Sequence, residues 1–261
     1  MQPDDNIQPL PSNLSQSLAR FLHVLSRLRH ECPWDSKQTW DSLRTLTIEE
    51  AHELSAAIAD SNIDDVRKEL GDVFLHVAFY ALIAQEQGLF ALHDVLDTLS
   101  DKLIQRHPAI FGGDGAGCTW EQLKVREHNG KGGVLDGVPP TLPALIKAYR
   151  IQGKARGVGF DWKEPADAWD KVSEETNEFK AEVLNNDREQ MTNEMGDLLF
   201  SVVNIARLYG INPEDALERT NRKFITRFKH IEEGAAAMGK SITDLSLTEM
   251  DKLWVEAKSL K

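Results

Sequence analysis

Apolar positions recur along this chain at helical spacing. In "LSQSLARFLHVLSRLR", residues 14 to 29, Leu18, Phe21, Leu22, Leu25 and Leu28 fall on one stripe, which predicts a helix. Comparable patterns run over 47–59, 63–87 and 92–106. They resume at 141–156, 165–184, 187–209, 213–237 and 246–259, with no good run of strand-like alternation between them. The predicted fold class is all-α. Between 112 and 140 the periodicity stops, and "GGDGAGCTWEQLKVREHNGKGGVLDGVPP" holds eight of the seventeen glycines and a Pro-Pro pair. The expected organisation is a helical domain over 14–111, a Gly/Pro-rich linker over 112–140 and a second helical domain over 141–261.

Acids interrupt the stripes in two places. "LTIEEAHEL", residues 46–54, carries Glu49, Glu50 and Glu53, and "KVSEETNEF", residues 171–179, carries Glu174, Glu175 and Glu178. A shift of 125 residues superposes these acids, and also places Glu69 on Glu194 and Asp72 on Asp197. The surroundings follow the same shift: Gly71-Asp72 matches Gly196-Asp197, and Leu54 and Ile58 match Phe179 and Val183. "DKLIQRH" at 101–107 also resembles "RKFITRF" at 222–228. The halves read as duplicated helical units.

Residues three apart on an α-helix lie about 60° apart, so Glu50 and Glu53 share one face, as do Glu69 and Asp72 on the next helix. Two such pairs can converge across a hairpin. Four carboxylates drawn together repel and raise one another's pKa values unless a cation neutralises them. Oxygen-only ligands suit a hard cation, Mg²⁺ or Mn²⁺, better than zinc. A merely solvated acidic face would carry basic partners at i+4, whereas Glu49, Glu50 and Glu53 meet Glu53, Leu54 and Ala57 there. Glu49 and His52 have the Glu-x-x-His spacing of di-iron bundles, but such a site needs the motif twice and the counterpart of His52 is Asn177. His76 continues the stripe of Asp65, Glu69 and Asp72, yet its counterpart is Ser201, so it is expected to be a buried or hydrogen-bonded structural histidine.

Composition narrows the partners. The net charge of -12 argues against a general nucleic-acid surface. No apolar run approaches the roughly 18 residues of a membrane span, and "MQPDDNIQPLPSN" lacks the basic and apolar regions of a signal peptide, so a cytoplasmic protein without a membrane partner is expected. Cys32 and Cys118 suggest neither a disulfide framework nor a zinc site. "GGDGAGCT" and "HNGKGG" lack the phosphate-loop spacing and a preceding strand, which leaves them as linker.

The ordered pattern Glu-Glu-x-x-Glu, spacer, Glu-x-x-Asp occurs twice, with "CPWD" at 32–35, "ELGD" at 69–72, "RHPAIFG" at 106–112, "VGFDW" at 158–162 and "EMGDLLF" at 194–200. In these motifs the chain, after residue 14, resembles the MazG family of nucleoside triphosphate pyrophosphohydrolases. The resemblance implies two tandem, four-helix-bundle-like domains intertwined in a homodimer. It also implies Mg²⁺-dependent hydrolysis of nucleoside triphosphates between the α and β phosphates, with Mn²⁺ a possible substitute. By the same resemblance Glu175, Glu178, Glu194 and Asp197 hold metal, with Glu50, Glu53, Glu69 and Asp72 as first-half counterparts. Glu174 positions or deprotonates the attacking water, the division of labour with Glu175 staying open. Lys171, Lys223 and Arg227 grip the triphosphate, and Trp254 is the base-stacking aromatic. Lys102 and Arg106 resemble the basic pair in the first half, but Leu46 stands where the second half has Lys171. The first half is therefore expected to bind metal yet hold triphosphate poorly. A rival reading makes one or both halves a non-catalytic nucleotide-sensing or dimerisation module.

Overall fold

Local capping chemistry, as much as the apolar stripes, sets where the helices begin and end. The computed structural model describes residues 11–112 and 133–259, and these form helices and turns with no strand. They fall into two units, 11–112 and 133–259. Residues 113–132, which include Cys118 and most of the glycines of the expected linker, lie outside the described residues.

The first unit contains α1 (Ser12–Glu31), α2 (Trp40–Ala59), α3 (Ile63–Glu86), α4 (Leu92–Arg106) and the one-turn α5 (Pro108–Phe111), with a 3₁₀ turn at Asp35–Lys37. The second contains α6 (Ala144–Gly157), α7 (Asp167–Asn185), α8 (Arg188–Leu208), α9 (Pro213–Ala237) and α10 (Leu247–Ser259), with a 3₁₀ turn at Ile242–Asp244. Helix α2 begins at Trp40 rather than near 47. Thr39 and Ser42 form a reciprocal capping box, Thr39 Oγ1 accepting from Ser42 N (3.2 Å) and Ser42 Oγ accepting from Thr39 N (2.9 Å), which starts the helix ahead of its apolar stripe.

The two acidic hairpins, α2–α3 and α7–α8, are built alike. Ser61 and Asn186 both adopt φ 55°, a left-handed conformation uncommon for residues with a Cβ. The next residue caps the following helix: Asn62 accepts from Asp65 N and Asp187 from Glu189 N and Gln190 N. The closing bonds repeat too, Asn62 N donating to Ala57 O (3.1 Å) and Asp187 N to Glu182 O (3.3 Å). Each of these pairs obeys the 125-residue shift that aligns the acids. One turn geometry, used twice, sets the register in which the acids of paired helices face each other.

The first core packs Leu25 of α1, Leu43 of α2 and Ala78, Phe79 and Ile83 of α3, flanked by Phe21, Leu22 and Leu46. In the second unit Ile231 and Ala235 of α9 pack against Leu245 and Leu253. Helix α6 packs on α8, where Gln152 Nε2 donates to Phe200 O (2.9 Å), and Lys154 Nζ ties the preceding segment down through Val134 O (3.2 Å) and Asp136 O (3.1 Å). Residues 133–140 thus belong to the second unit.

Candidate active site

In the second unit Glu175 sits mid-way along α7 and is 4% exposed. Its facing neighbours on α8 are Glu194 and Asp197. One oxygen from each of the three carboxylates lies within 4.8 Å of the others. Lys171, one turn earlier on α7, places Nζ 2.6 Å from Glu175 and 3.0 Å from Glu174. Glu175, then Glu174, raise the Lys171 ammonium well above the usual lysine range. Three convergent oxygens, one of them on a buried side chain, form a ligand set suited to a hard divalent ion.

Glu178 is exposed and stands outside this closest triad. Partial desolvation and the charges of Glu175, Glu174 and Glu194 nevertheless push its carboxyl above the ordinary value, so it feels the same field. Glu174 is exposed, with Lys171 as its ion-pair partner.

Lys171, Glu175 and Asp197 also line one side of a cavity of about 750 Å³. Its other walls come from Ile151, Gln152, Ala155, Phe160, Trp162, Phe200, Ser201, Asn204 and Arg207. Arg207, 8% exposed, holds Asp161 through both terminal guanidinium nitrogens and donates from Nε (3.0 Å) and Nη2 (2.7 Å) to Asn204 Oδ1. Asp161 also accepts from Trp162 N (2.9 Å). Its carboxyl lies below the usual range because these hydrogen bonds and the Arg207 charge outweigh the opposing desolvation. In the sequence "VGFDW" is legible only as a signature, and Arg207, Asn204 and Gln152 are not among the residues it singles out. A guanidinium at the end of an otherwise apolar run, "LLFSVVNIARL", was the available signal.

Lys223, Arg227 and Trp254 form a separate group on α9 and α10, and none of them lines the cavity. The Arg227 guanidinium lies 5.5 Å from the Trp254 ring centroid, and Phe224 packs 5.2 Å from it on the edge of the α9–α10 core.

The first unit brings together Glu50, Glu69 and Asp72 within the same 4.8 Å, with Glu53 outside that triad. Burial and then the charges of Asp72, Glu53, Glu69 and Glu49 raise the Glu50 carboxyl. Glu69 is 5% exposed; its Oε1 accepts from Lys68 Nζ (2.8 Å), and its Oε2 is buried without a hydrogen-bond partner among the described residues. A buried carboxylate oxygen left unpaired is costly, and a cation would satisfy it. Lys68 is not among the residues the sequence singles out: it gives the first triad a lysine from α3, whereas Lys171 comes from α7 and the counterpart of Lys68 is Asn193. His76 is buried, its Nδ1 2.7 Å from Thr47 Oγ1, which also bonds Tyr80 Oη (2.7 Å). Burial lowers the His76 pKa against the pull of Asp72, as expected of a structural histidine.

Comparison with known proteins places both acidic hairpins in one family. The model of the MazG nucleotide pyrophosphohydrolase domain matches residues 38–111 and again 164–232. The chain is 43% identical over 244 residues to a Thermotoga maritima protein named nucleoside triphosphate pyrophosphohydrolase/pyrophosphatase MazG, covering 91% of this chain and 94% of that protein. It is 40% identical over 252 residues to the nucleoside triphosphate pyrophosphohydrolase of Escherichia coli K12, covering 92% and 96%. YabN of Bacillus subtilis is 44% identical over 255 residues, 94% of this chain and 52% of that protein. With a family match on each acidic hairpin and such relatives along nearly its whole length, the chain belongs to the MazG family.

Proposed function

We propose that the protein is a Mg²⁺-dependent nucleoside triphosphate pyrophosphohydrolase serving nucleotide-pool control, cleaving NTPs and dNTPs between the α and β phosphates to the monophosphate and pyrophosphate. The observation that carries this reading is the triad Glu175, Glu194 and Asp197 beside Lys171 on the wall of a cavity of about 750 Å³, within the usual range for small-molecule sites. The names of the Thermotoga and E. coli relatives supply the reaction class.

Glu175, Glu194 and Asp197, with Glu178 along α7, hold the ion, for which Mn²⁺ is an expected substitute. When bound, such an ion neutralises charge on the phosphates and lowers the pKa of a coordinated water. The chain's residues divide the remaining work by burial. Glu175 is fixed in the helix interface and suits a ligand, whereas Glu174 is exposed, with Lys171 as its ion-pair partner, and suits positioning the attacking water or taking its proton. Lys171, already beside both, can turn its ammonium to a phosphate oxygen. Lys223 and Arg227 are assigned to the triphosphate through the second copy of a homodimer, since they do not line this cavity. Trp254 steadies Arg227 by lying against its guanidinium.

The homodimer reading is supported by apolar side chains left exposed on the acidic hairpins, Leu70, Phe74 and Val77 on α3 and Leu199, Phe200 and Val202 on α8. Product analysis in a pyrophosphatase-free assay tests the reaction: pyrophosphate and monophosphate in equal amounts are expected with Mg²⁺, and stoichiometric orthophosphate sinks the proposal. Light scattering at micromolar protein should give twice the chain mass.

A further inference from the structure

We infer that residues 133–140 form a strap over the mouth of the cavity beside the second triad, and that Lys154 is the positioning residue that clasps it. This rests on the pyrophosphohydrolase reading and adds a moving part to it. Two short segments flank α6, 133–140 before it and 158–162 after it, and both send side chains to the cavity that Lys171, Glu175 and Asp197 also line. Val134 and Leu135 come from the first, Phe160 and Trp162 from the second. Leu135, Phe160 and Trp162 are nonetheless 47%, 82% and 41% exposed, so apolar surface stands at the rim, where closure over an occupant would bury it.

The two segments are fastened differently. Asp161 fixes the later one through both terminal nitrogens of the Arg207 guanidinium, a side chain buried in the unit. A two-pronged, charge-assisted pair of this kind is strong and geometrically fixed. The earlier segment is held to α6 by ammonium groups on main-chain carbonyls: Lys154 Nζ reaches Val134 O (3.2 Å) and Asp136 O (3.1 Å), and Lys147 Nζ reaches Pro140 O (2.5 Å). Lysine stems are flexible and these acceptors are neutral, so this clasp opens more easily than the pair of Asp161 and Arg207. The segment meanwhile keeps its own shape. Gly133 N donates to Asp136 Oδ2 (2.6 Å), Asp136 N to Gly133 O (3.0 Å) and Val138 N to Leu135 O (3.3 Å). Gly137 bends the chain at φ 74°, a conformation strained for any residue with a Cβ, and Pro139 and Pro140 stiffen the end toward α6. A preformed turn on a releasable clasp can swing out to pass substrate and product and close to keep water from the acids. Lys154 does not itself line the cavity and acts through that turn.

The test is Lys154→Met, which keeps the stem and removes the donors, with Lys154→Arg as the variant that restores them. Amide hydrogen exchange over 133–138 is followed by mass spectrometry in the free protein and with Mg²⁺ and an α,β-methylene nucleoside triphosphate, whose carbon bridge resists the cleavage. In wild type the analogue should slow exchange of this segment by about threefold or more. Lys154→Met should exchange it about tenfold faster when free and lose the protection, while Lys154→Arg behaves as wild type. In steady state kcat/KM for the nucleoside triphosphate should fall about tenfold in Lys154→Met, carried by KM, and return to within about threefold of wild type in Lys154→Arg. Gly137→Ala, which has open space for its Cβ and strain only in its backbone, should act in the same direction. Absence of protection in wild type, or unchanged exchange and KM in Lys154→Met, overturns the strap. Faster exchange spread over α6 and α8 as well overturns Lys154 as its clasp and makes it a support of the fold. If wild type releases no pyrophosphate yet the analogue protects 133–138 through Lys154, the reaction assignment fails and the strap stands.

Discussion

Glu175→Gln removes one charge from the second triad while nearly preserving shape. In the metal-free protein two changes oppose each other. Lys171 loses a charge-assisted bond at 2.6 Å, a class worth about 1.5–3 kcal/mol when buried. The Lys171 side chain is 40% exposed, so solvent screening leaves about 1 kcal/mol. Against this, repulsion among three carboxylates within 4.8 Å falls, an effect of similar size once the exposure of Asp197 is counted. The metal-free Tm should therefore move by no more than about 3 °C in either direction. Function should change far more, with turnover falling at least about a hundredfold, or about 2.7 kcal/mol of transition-state stabilisation. Thermal scans in EDTA and in rising Mg²⁺ give the second readout. A site filled at a hundred times its Kd adds about 2.7 kcal/mol, which Glu175→Gln should abolish for the second unit and Glu69→Gln for the first. Only the double variant should show no Mg²⁺ shift at all. Wild-type turnover together with an intact Mg²⁺ shift in Glu175→Gln would remove Glu175 from the site. A loss of several kcal/mol in EDTA would mean that it serves the fold.

Glu178→Gln should also lower turnover by about a hundredfold or more, while Glu53→Gln changes it little; parallel kinetics on variants of unchanged helical content and oligomeric state compare them. In EDTA the same Glu178→Gln should gain stability over wild type as pH rises from the ordinary carboxyl value of 4.5. A raised carboxyl pKa means the folded state binds more protons, so wild type loses stability through that window, and urea midpoints against pH report the difference. Gly234→Ala puts a Cβ 2.6 Å from Leu253 Cδ2 in the α9–α10 core. Overpacking of about 1–3 kcal/mol should exceed the helix-propensity gain of up to about 1 kcal/mol, lowering Tm without altering KM.

The stripes and acids made the helical class and the paired hairpins legible, because periodicity 3.6 and a repeated five-acid register are both one-dimensional signals. What did not project onto the sequence was set by three-dimensional neighbours. Helix α2 begins at Trp40 because of a two-residue capping box, not a stripe. Glu53 and Glu178 share a helix face with Glu50 and Glu175, yet among the described residues the approach of the facing helix draws only three carboxylates to within 4.8 Å in each unit. Lys68 was hidden because a lysine adjacent in sequence to Glu69 looks like solvated surface, and only burial of Glu69 makes the pair consequential. The group of Asp161, Arg207 and Asn204 joins positions separated by over forty residues, which no spacing rule reaches.

The duplicated register also separates the two halves at the positions beside the triads. Along α3 and α8 the same 125-residue shift pairs His76 with Ser201, Phe79 with Asn204 and Leu82 with Arg207. In the second unit these positions line the cavity. In the first unit Phe79 is 2% exposed within the core, under the Arg29 guanidinium, and His76 is buried against Thr47. His76 and Phe79 are thus larger than Ser201 and Asn204, which line the second unit's cavity, while a triad of acids is retained in both units. The Lys68 ammonium fits that division, since it neutralises Glu69 from the α3 side, whereas Lys171 stands on the wall of the second unit's cavity. Glu69→Gln should therefore leave the rate of the whole chain within about threefold of wild type, as expected of a residue outside the reacting centre, while Glu194→Gln lowers it about a hundredfold. Measured on the intact chain, the reverse result would assign catalysis to the first hairpin and leave the cavity beside Lys171 without a role in turnover.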